Sequence, residues 1–316
     1  MLSFIVIGRN EERTLSKCFS SIIETIDVNN YSDAEIIYVD SNSNDSSINI
    51  ASQFNISSYI IKGEINAAVA RNVGAVKSIG DILIFIDGDM EIMPEFFPLI
   101  IDDNKLTYPF VSGQFVNYCY SPVDRSFLYT QPYHSGFTNG IKYENSTGGL
   151  FAVDRKYWVE LGGMREDFRR SQDLDFGLRM AKLGIPLLRY EAVMANHHTI
   201  QYTDRLWDGL FSGSTLYRFY LLRRNLSNKY AIKRFISKDP TVFLLLCCVM
   251  GVVFFDPIFI VLGYLFLILV ISAYHYRKKF SLDKPLYLIV KDVLTISSLL
   301  FFYPSKNKKY SVTKCV

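Results

Sequence analysis

Over residues 1–90, short apolar runs alternate with amphipathic stretches, and each run stops at an acidic or glycine-containing turn. Phe4-Ile5-Val6-Ile7 predicts a buried strand, and behind it Leu15, Phe19, Ile22, Ile23 and Ile26 recur at helical spacing. Glu35–Val39 predicts a second strand ending at Asp40. Ser41–Asn44 is a polar turn, Asp45-Ser46 can cap a helix to about Phe54, and Ser58–Ile61 reads as a third strand. Asn66–Ile79 has helical character until Gly80. Asp81 then leads into Ile82-Leu83-Ile84-Phe85-Ile86, which terminates at Asp87-Gly88-Asp89. Strands separated by helices in this way predict an α/β fold: a mostly parallel, doubly wound sheet with helices on both faces. Ligands of such sheets sit beyond the carboxyl ends of the strands. That rule singles out Gly8–Glu11, Asp40 and Asp87–Asp89.

From 105 to about 200 the pattern is mixed. Phe110–Cys119 and Thr147–Val153 read as strands, Asp154–Leu161 as a short helix closed by Gly162-Gly163, and Asp173–Leu183 as a helix closed by Gly184. Residues 121–146, rich in Tyr, Ser, Pro and Gly, predict a loop-dominated surface of the kind that carries specificity.

The charges divide the chain. Residues 1–204 hold 17 Lys+Arg against 26 Asp+Glu, a net of −9, whereas residues 205–316 hold 17 against 5, a net of +12. The basic part contains Val242–Tyr274, a 33-residue run whose only charge is Asp256. A basic tail around an apolar run indicates a membrane surface and excludes nucleic acid as the partner. A straight helix of that length would reach roughly 50 Å against about 30 Å of hydrocarbon. The Asp256-Pro257 step therefore predicts a break into a membrane hairpin over about 242–274. Lys229, Lys233, Arg234 and Lys238 precede it and Arg277, Lys278 and Lys279 follow it, which puts both ends in the cytoplasm. Leu286–Tyr303, with Lys291 and Asp292 inside it, predicts an interfacial helix. The expected division is a catalytic domain over 1–225 and a membrane-associated helical region over 226–316. The five cysteines form no C-x-x-C pair, and the start of the chain has neither the basic residues nor the length of an export signal. The first domain is expected at the cytoplasmic face of the membrane.

Asp87-Gly88-Asp89 carries the chemistry. Two carboxylates two positions apart at the end of a buried strand can converge on one hard divalent cation, Mg²⁺ or Mn²⁺, and its bound phosphates. The ordered set Ile7-Gly8-Arg9-Asn10-Glu11-Glu12, Val39-Asp40-Ser41-Asn42-Ser43-Asn44-Asp45, Ala70-Arg71-Asn72-Val73-Gly74-Ala75 and Asp87-Gly88-Asp89 resembles the nucleotide-sugar half of the family-two inverting glycosyltransferases of GT-A fold. The resemblance continues through Thr147-Gly148-Gly149, Leu161–Glu166 and Gln172-Asp173-Leu174-Asp175, and it covers roughly residues 1–225.

The resemblance implies a nucleoside-diphosphate-sugar donor and assigns roles. Asn10 and Glu11 would sit at the base and ribose, Asp40 would accept a hydrogen bond from the nucleobase edge, and Arg71 would face the donor through its guanidinium. Asp87 would approach the ribose and Asp89 would bind the metal. Asp173 would be the general base that takes the proton of the acceptor hydroxyl, with Asp175 as the alternative. The usual Glu-Asp pair is here Gln172-Asp173, so the partner of the base has lost its charge. His197 or His198 would complete the metal shell. The element Gln201 to Trp207, containing Arg205, resembles a Gln-x-x-Arg-Trp motif of processive synthases with the wrong spacing, which favours transfer of a single sugar. The acceptor implied is a lipid-linked or other membrane-bound glycan of cell-surface polysaccharide synthesis. Transfer onto a polyprenyl phosphate is the alternative. A nucleotidyltransferase is disfavoured because Gly8–Glu12 holds one Gly and two acids where such enzymes carry a basic, Gly-rich loop.

Overall fold

The computed structural model describes residues 1–201, 207–275, 281, 283–306 and 308–315. Arg205 and the trio Arg277, Lys278 and Lys279 lie outside the described residues. The chain forms two compact units, Met1–Tyr202 with Ser305–Val316, and Thr203–Pro304.

The first unit contains, in order, β1 (Leu2–Gly8), α1 (Leu15–Val28), β2 (Ala34–Asp40), α2 (Ser47–Ala51), β3 (Ser57–Gly63), α3 (Ala67–Lys77), β4 (Ile82–Asp87) and β5 (Met90–Ile92). A 3₁₀ turn at Pro94–Leu99 and the small pair β6 (Ile101–Asp102) and β7 (Lys105–Leu106) follow. Then come β8 (Phe110–Tyr120), β9 (Phe127–Pro132), β10 (Ile141–Glu144), β11 (Phe151–Asp154), α4 (Arg155–Glu160), α5 (Gln172–Lys182) and β12 (Leu187–Ile200). The main sheet runs β10-β12-β8-β11-β4-β1-β2-β3-β13, where β13 (Tyr310–Lys314) is the last strand of the chain. β3, β2, β1 and β4 are parallel, as expected from their crossover helices. Beyond β4 the sheet is mixed: β11 is antiparallel to both β4 and β8, and β12 is parallel to β8 but antiparallel to β10 and β5. Turns replace crossover helices between several of these strands, so neighbours are free to run in opposite directions. The segment 121–146 holds two strands, β9 and β10, that its composition concealed.

Strand alternation divides the core between the two faces of the sheet. Phe4, Val6, Ile84 and Ile86 pack with Leu15, Cys18, Phe19 and Ile22 of α1, while Ile5, Ile7, Leu83 and Phe85 pack with α3, Trp158 of α4 and Phe176 of α5. The close fit of α3 needs glycine at 74, where a β-carbon would stand 2.3 Å from Ile5 Cγ2. Asn66 caps α3 by accepting a hydrogen bond from the Val69 N–H at 3.0 Å.

The second unit is helical: α6 (Asp208–Phe211), α7 (Leu216–Arg224), α8 (Lys229–Lys238), α9 (Pro240–Gly251), α10 (Pro257–His275) and α11 (Asp283–Phe301). It begins earlier than residue 225 because α7 packs on α11, so it belongs with the helices that follow it. The chain breaks between α9 and α10 where expected, and Asp256 Oδ1 accepts from the Ile258 N–H at 2.9 Å to start α10. Among the described residues, α10 alone is long and apolar enough to cross a membrane. In α11, Lys291, Asp292, Thr295 and Ser298 are buried against protein, while Leu286, Val293, Leu300 and Phe301 are exposed. An interfacial helix would turn those polar groups to water; here they face the other helices.

Candidate active site

β4 delivers Asp87 to the rim of the sheet, and Asp87 Oδ1 accepts a hydrogen bond from the Arg71 guanidinium at 2.6 Å. Arg71 is buried on α3 and gives one nitrogen to this carboxylate, so it positions Asp87, while its Nε has no hydrogen-bond partner among the described residues. Gly149 lies against the same side chain, where a β-carbon would stand 2.0 Å from Asp87 Oδ2.

Two residues on, Asp89 meets a strand from far along the chain. β12 pairs with β5 in a register that sets His197 opposite Met90. His197 Nε2 thereby lies 3.2 Å from Asp89 Oδ2, and its Nδ1–H donates to Asn117 Oδ1 at 2.8 Å. The Asn117 bond fixes the imidazole so that Nε2 faces the carboxylate. Asp89 Oδ1 is buried without a hydrogen-bond partner among the described residues. His198 points elsewhere, its Nδ1 3.0 Å from the Tyr120 hydroxyl and its Nε2 3.2 Å from Glu91 Oε2. Of the two candidate histidines, the register brings His197 to the acid and leaves His198 with Tyr120 and Glu91.

Glu11, Asp87 and Asp89 form an electrostatically strained group. Burial pushes the Glu11 carboxyl up to about 8, and the charges of Asp89 and Asp87 add to the rise. Asp87 is raised to about 6 overall: burial lifts it, Arg71 pulls it back, Asp89 raises it and His197 lowers it. Burial would lower His197, yet the hydrogen bond and charge of Asp89, with Asp87 and Glu11, leave it raised overall. Such a group favours a positive charge among the carboxylates. Among the described residues no three His, Cys, Asp or Glu groups surround one point. The donor set suited to Mg²⁺ or Mn²⁺ is the orphan Asp89 oxygen together with the His197 nitrogen, a pair that needs further oxygens from a ligand.

Two cavities meet at Glu11. One of about 380 Å³ is lined by Gly8, Glu11, Ser41 and Asp87 at the strand ends and by Arg169 and Arg170. The other, of about 460 Å³, is lined by Asn10, Glu11, Asp89, Tyr120, Arg125 and His198 among others. Asn10 joins two loops: at φ 60° its N–H donates to Ser43 Oγ at 2.8 Å and its Oδ1 accepts from the Asn44 N–H at 3.0 Å. Asp40, expected at the nucleobase, is fully buried. Its oxygens accept from the Tyr38 hydroxyl at 2.9 Å, the Ser43 N–H at 2.7 Å and the Ser43 hydroxyl at 2.5 Å, so it builds the turn after β2.

Asp173 lies in the first turn of α5, and its Oδ2 accepts from the Ser146 hydroxyl at 2.7 Å. Glycine at 177 lets the 145–147 backbone lie directly on α5, since a β-carbon there would stand 2.2 Å from the Asn145 carbonyl oxygen. The fully buried Arg189 fixes that segment with all five donors. It bonds Glu144 Oε2, Ser112 Oγ and the Gly113 carbonyl at 2.7 Å each, and the Ser146 and Thr147 carbonyls at 3.1 Å each. One short segment thus touches both acids: Ser146 holds Asp173, and Gly149 abuts Asp87. Three residues reach at most about 11 Å. Asp175 is fully buried between Arg165 at 2.8 Å and Arg179 at 2.9 Å, which removes it as an alternative base. Arg189, Asn117 and Ser146 carried no signal in the sequence, because each acts through contacts remote along the chain.

Residues 3–154, from β1 to β11, match the sequence profile described as Glycosyl transferase family 2. They belong to that family. A Haemophilus influenzae protein described as an uncharacterized glycosyltransferase is 29% identical to this chain over 192 residues, covering 57% of this chain and 62% of that protein. The match thus spans less than two thirds of that relative. Among solved structures, the mannosyltransferase PcManGT from Pyrobaculum calidifontis, in complex with GDP-Man and Mn²⁺, superposes with a TM-score of 0.56 at 15% identity, covering 93% of this chain and 86% of that one. S. aureus TarS 1-349 in complex with UDP gives 0.51 at 13% identity, covering 75% and 72%. The fold of the family 2 unit is of the GT-A type, with a mixed sheet.

Proposed function

We propose that this protein transfers a single sugar, with inversion, from a nucleoside-diphosphate-sugar to a hydroxyl of a membrane-bound glycan or lipid-linked acceptor, using Mg²⁺ or Mn²⁺. The reading rests above all on Asp89: a buried carboxylate oxygen without a partner among the described residues, beside the Nε2 of a histidine whose other nitrogen is already bonded. The complexes of the two solved structures with UDP, and with GDP-Man and Mn²⁺, support the donor class and the metal.

In this reading the smaller cavity, at the ends of the parallel strands, receives the nucleoside, with Glu11 and Asp87 toward the ribose. Asp89 and His197 hold the cation, which when bound takes up charge on the departing diphosphate. Arg71 keeps Asp87 ionised and in place. Asp173 removes the acceptor proton as the acceptor oxygen bonds to the anomeric carbon and the bond to the diphosphate breaks. Ser146 orients Asp173 through its hydroxyl. The second unit anchors the enzyme at the cytoplasmic face of the membrane, where confinement raises the effective concentration of the acceptor. The return of Ser305–Val316 to β3 requires that any crossing of the bilayer between 203 and 304 be matched by one in the opposite direction, as in a hairpin.

The test is turnover of a nucleotide-sugar panel by the full chain in detergent with Mn²⁺. Asp89→Ala is expected to lower turnover about a thousandfold, and Asp173→Asn by about 10²–10⁴. Turnover kept by Asp173→Asn would favour a phosphate-oxygen acceptor such as a polyprenyl phosphate. Absence of any donor turnover, or an Asp89→Ala variant as active as the parent, would end the reading.

A further inference from the structure

The second unit contains a basic cavity of about 170 Å³ built from helices distant in sequence. Arg218 of α7, Lys238 of α8 and Lys291 of α11 all line it, and no carboxylate does. The neutralising acids stand behind these cations. Asp239 pairs with Arg218 and, at 3.3 Å, with Lys291. Asp292 lies 3.4 Å from the Lys291 ammonium and accepts from the Thr241 hydroxyl at 2.9 Å and the Tyr264 hydroxyl at 3.1 Å. Two acids against three cations leave one positive charge. That charge sits on Lys238, which is exposed and has no ion-pair partner among the described residues. Ile271 and Leu288 line the same cavity, and the α9 and α10 surfaces carry exposed Phe243, Val249, Phe259 and Phe266. The pocket is therefore cationic with an apolar wall, on a unit whose outer surface is apolar.

We propose that this cavity binds the phosphate headgroup of an anionic membrane lipid. A phosphate presents several oxygens to donors arriving from different directions, as cations from three helices do here. The volume exceeds the share of one water, about 30 Å³, several-fold, so the whole group fits. Ile271 and Leu288 then lie along the start of the acyl or prenyl chain. The proposal rests on the membrane-facing reading of this unit and is independent of sugar transfer.

The experiment uses the full chain in a neutral detergent, with binding of short-chain phosphatidic acid measured by native mass spectrometry. Diacylglycerol and inorganic phosphate are the comparison arms, and flotation with neutral phosphatidylcholine vesicles is scored separately. Lys238→Gln is expected to weaken phosphatidic acid about tenfold, the size of one charge-assisted hydrogen bond. Lys233→Gln, on the same helix outside the cavity, is expected to change it less than about twofold. Diacylglycerol should bind far more weakly than phosphatidic acid. Equal losses in the two lysine variants would assign the effect to overall charge and overturn the proposal. Inorganic phosphate bound as tightly as phosphatidic acid would make the cavity a phosphate site and overturn the lipid assignment. A chain that fails to float with vesicles overturns the membrane-facing reading on which the proposal rests, while donor turnover would still stand.

Discussion

In the first unit apolar strands are buried and buried charges such as Arg189 sit within hydrogen-bonded networks; in the second, large apolar side chains are exposed while Lys291 and Asp292 are buried. Phe254 and Phe301 are each 80% exposed, against 5% for Lys291 and 0% for Asp292. Both units pair their buried charges, so the difference lies in the medium each surface suits. The GT-A-type unit covers most of its large apolar side chains; under the proposed membrane attachment the exposed ones of the helical unit would meet hydrocarbon, where polar groups have to find partners inside the protein.

That contrast can be broken by removing one buried charge from each unit. Arg189→Met would leave Glu144 with Lys142 as its cationic partner and four other acceptors without this donor, and is expected to cost the first unit about 3–5 kcal/mol, read by denaturant unfolding. It should also slow turnover by loosening Ser146 and hence Asp173. A loss below about 1 kcal/mol would show that the network is dispensable.

A pH titration sharpens the same point. Burial, with Arg189 next, depresses the His134 imidazole to about 3, although Glu144 opposes the shift. The folded state thus binds fewer protons than the unfolded chain between about pH 3 and 6.5. Stability is complete above the ordinary histidine value and falls as the pH drops below it, by about 1–2 kcal/mol at pH 5. His134→Asn should flatten that limb of a melting-temperature profile; an unchanged slope would assign it to other groups.

The smallest effect is expected in the second unit. Asp292→Asn should cost only about 1 kcal/mol in a bilayer or detergent, because the unfolded-in-membrane state finds polar partners too and Asp239 still faces Lys291. A loss as large as that of Arg189→Met would mean that the unit unfolds into water, contrary to the comparison.

The parallel half of the sheet was legible because its signals are local: period-two burial within a strand, helical spacing behind it, and acids at the strand ends. Asp87 and Asp89 came with it. For two residues of the same motifs the structure shows contacts that the sequence did not announce: Asp40 is bonded to Tyr38 and Ser43, and Arg71 is paired with Asp87. The mixed half was less legible. β9 and β10 owe their pairing to β8 and β12, so their own residues carry little pattern.

By itself, the sequence determined the strands and helices of the parallel half, the apolar run of the second unit, and which acids stand at the ends of the parallel strands, because those properties depend on neighbours within a few residues. Tertiary structure alone decided that His197 and not His198 meets Asp89, 108 residues away, and that Ser146 reaches Asp173 while Asp175 is locked between arginines. It also decided that the chain ends on β3. A one-residue change in the register of β12 on β5 would exchange the two histidines between faces of the sheet, and that register is fixed by the packing of distant strands, which no local pattern records.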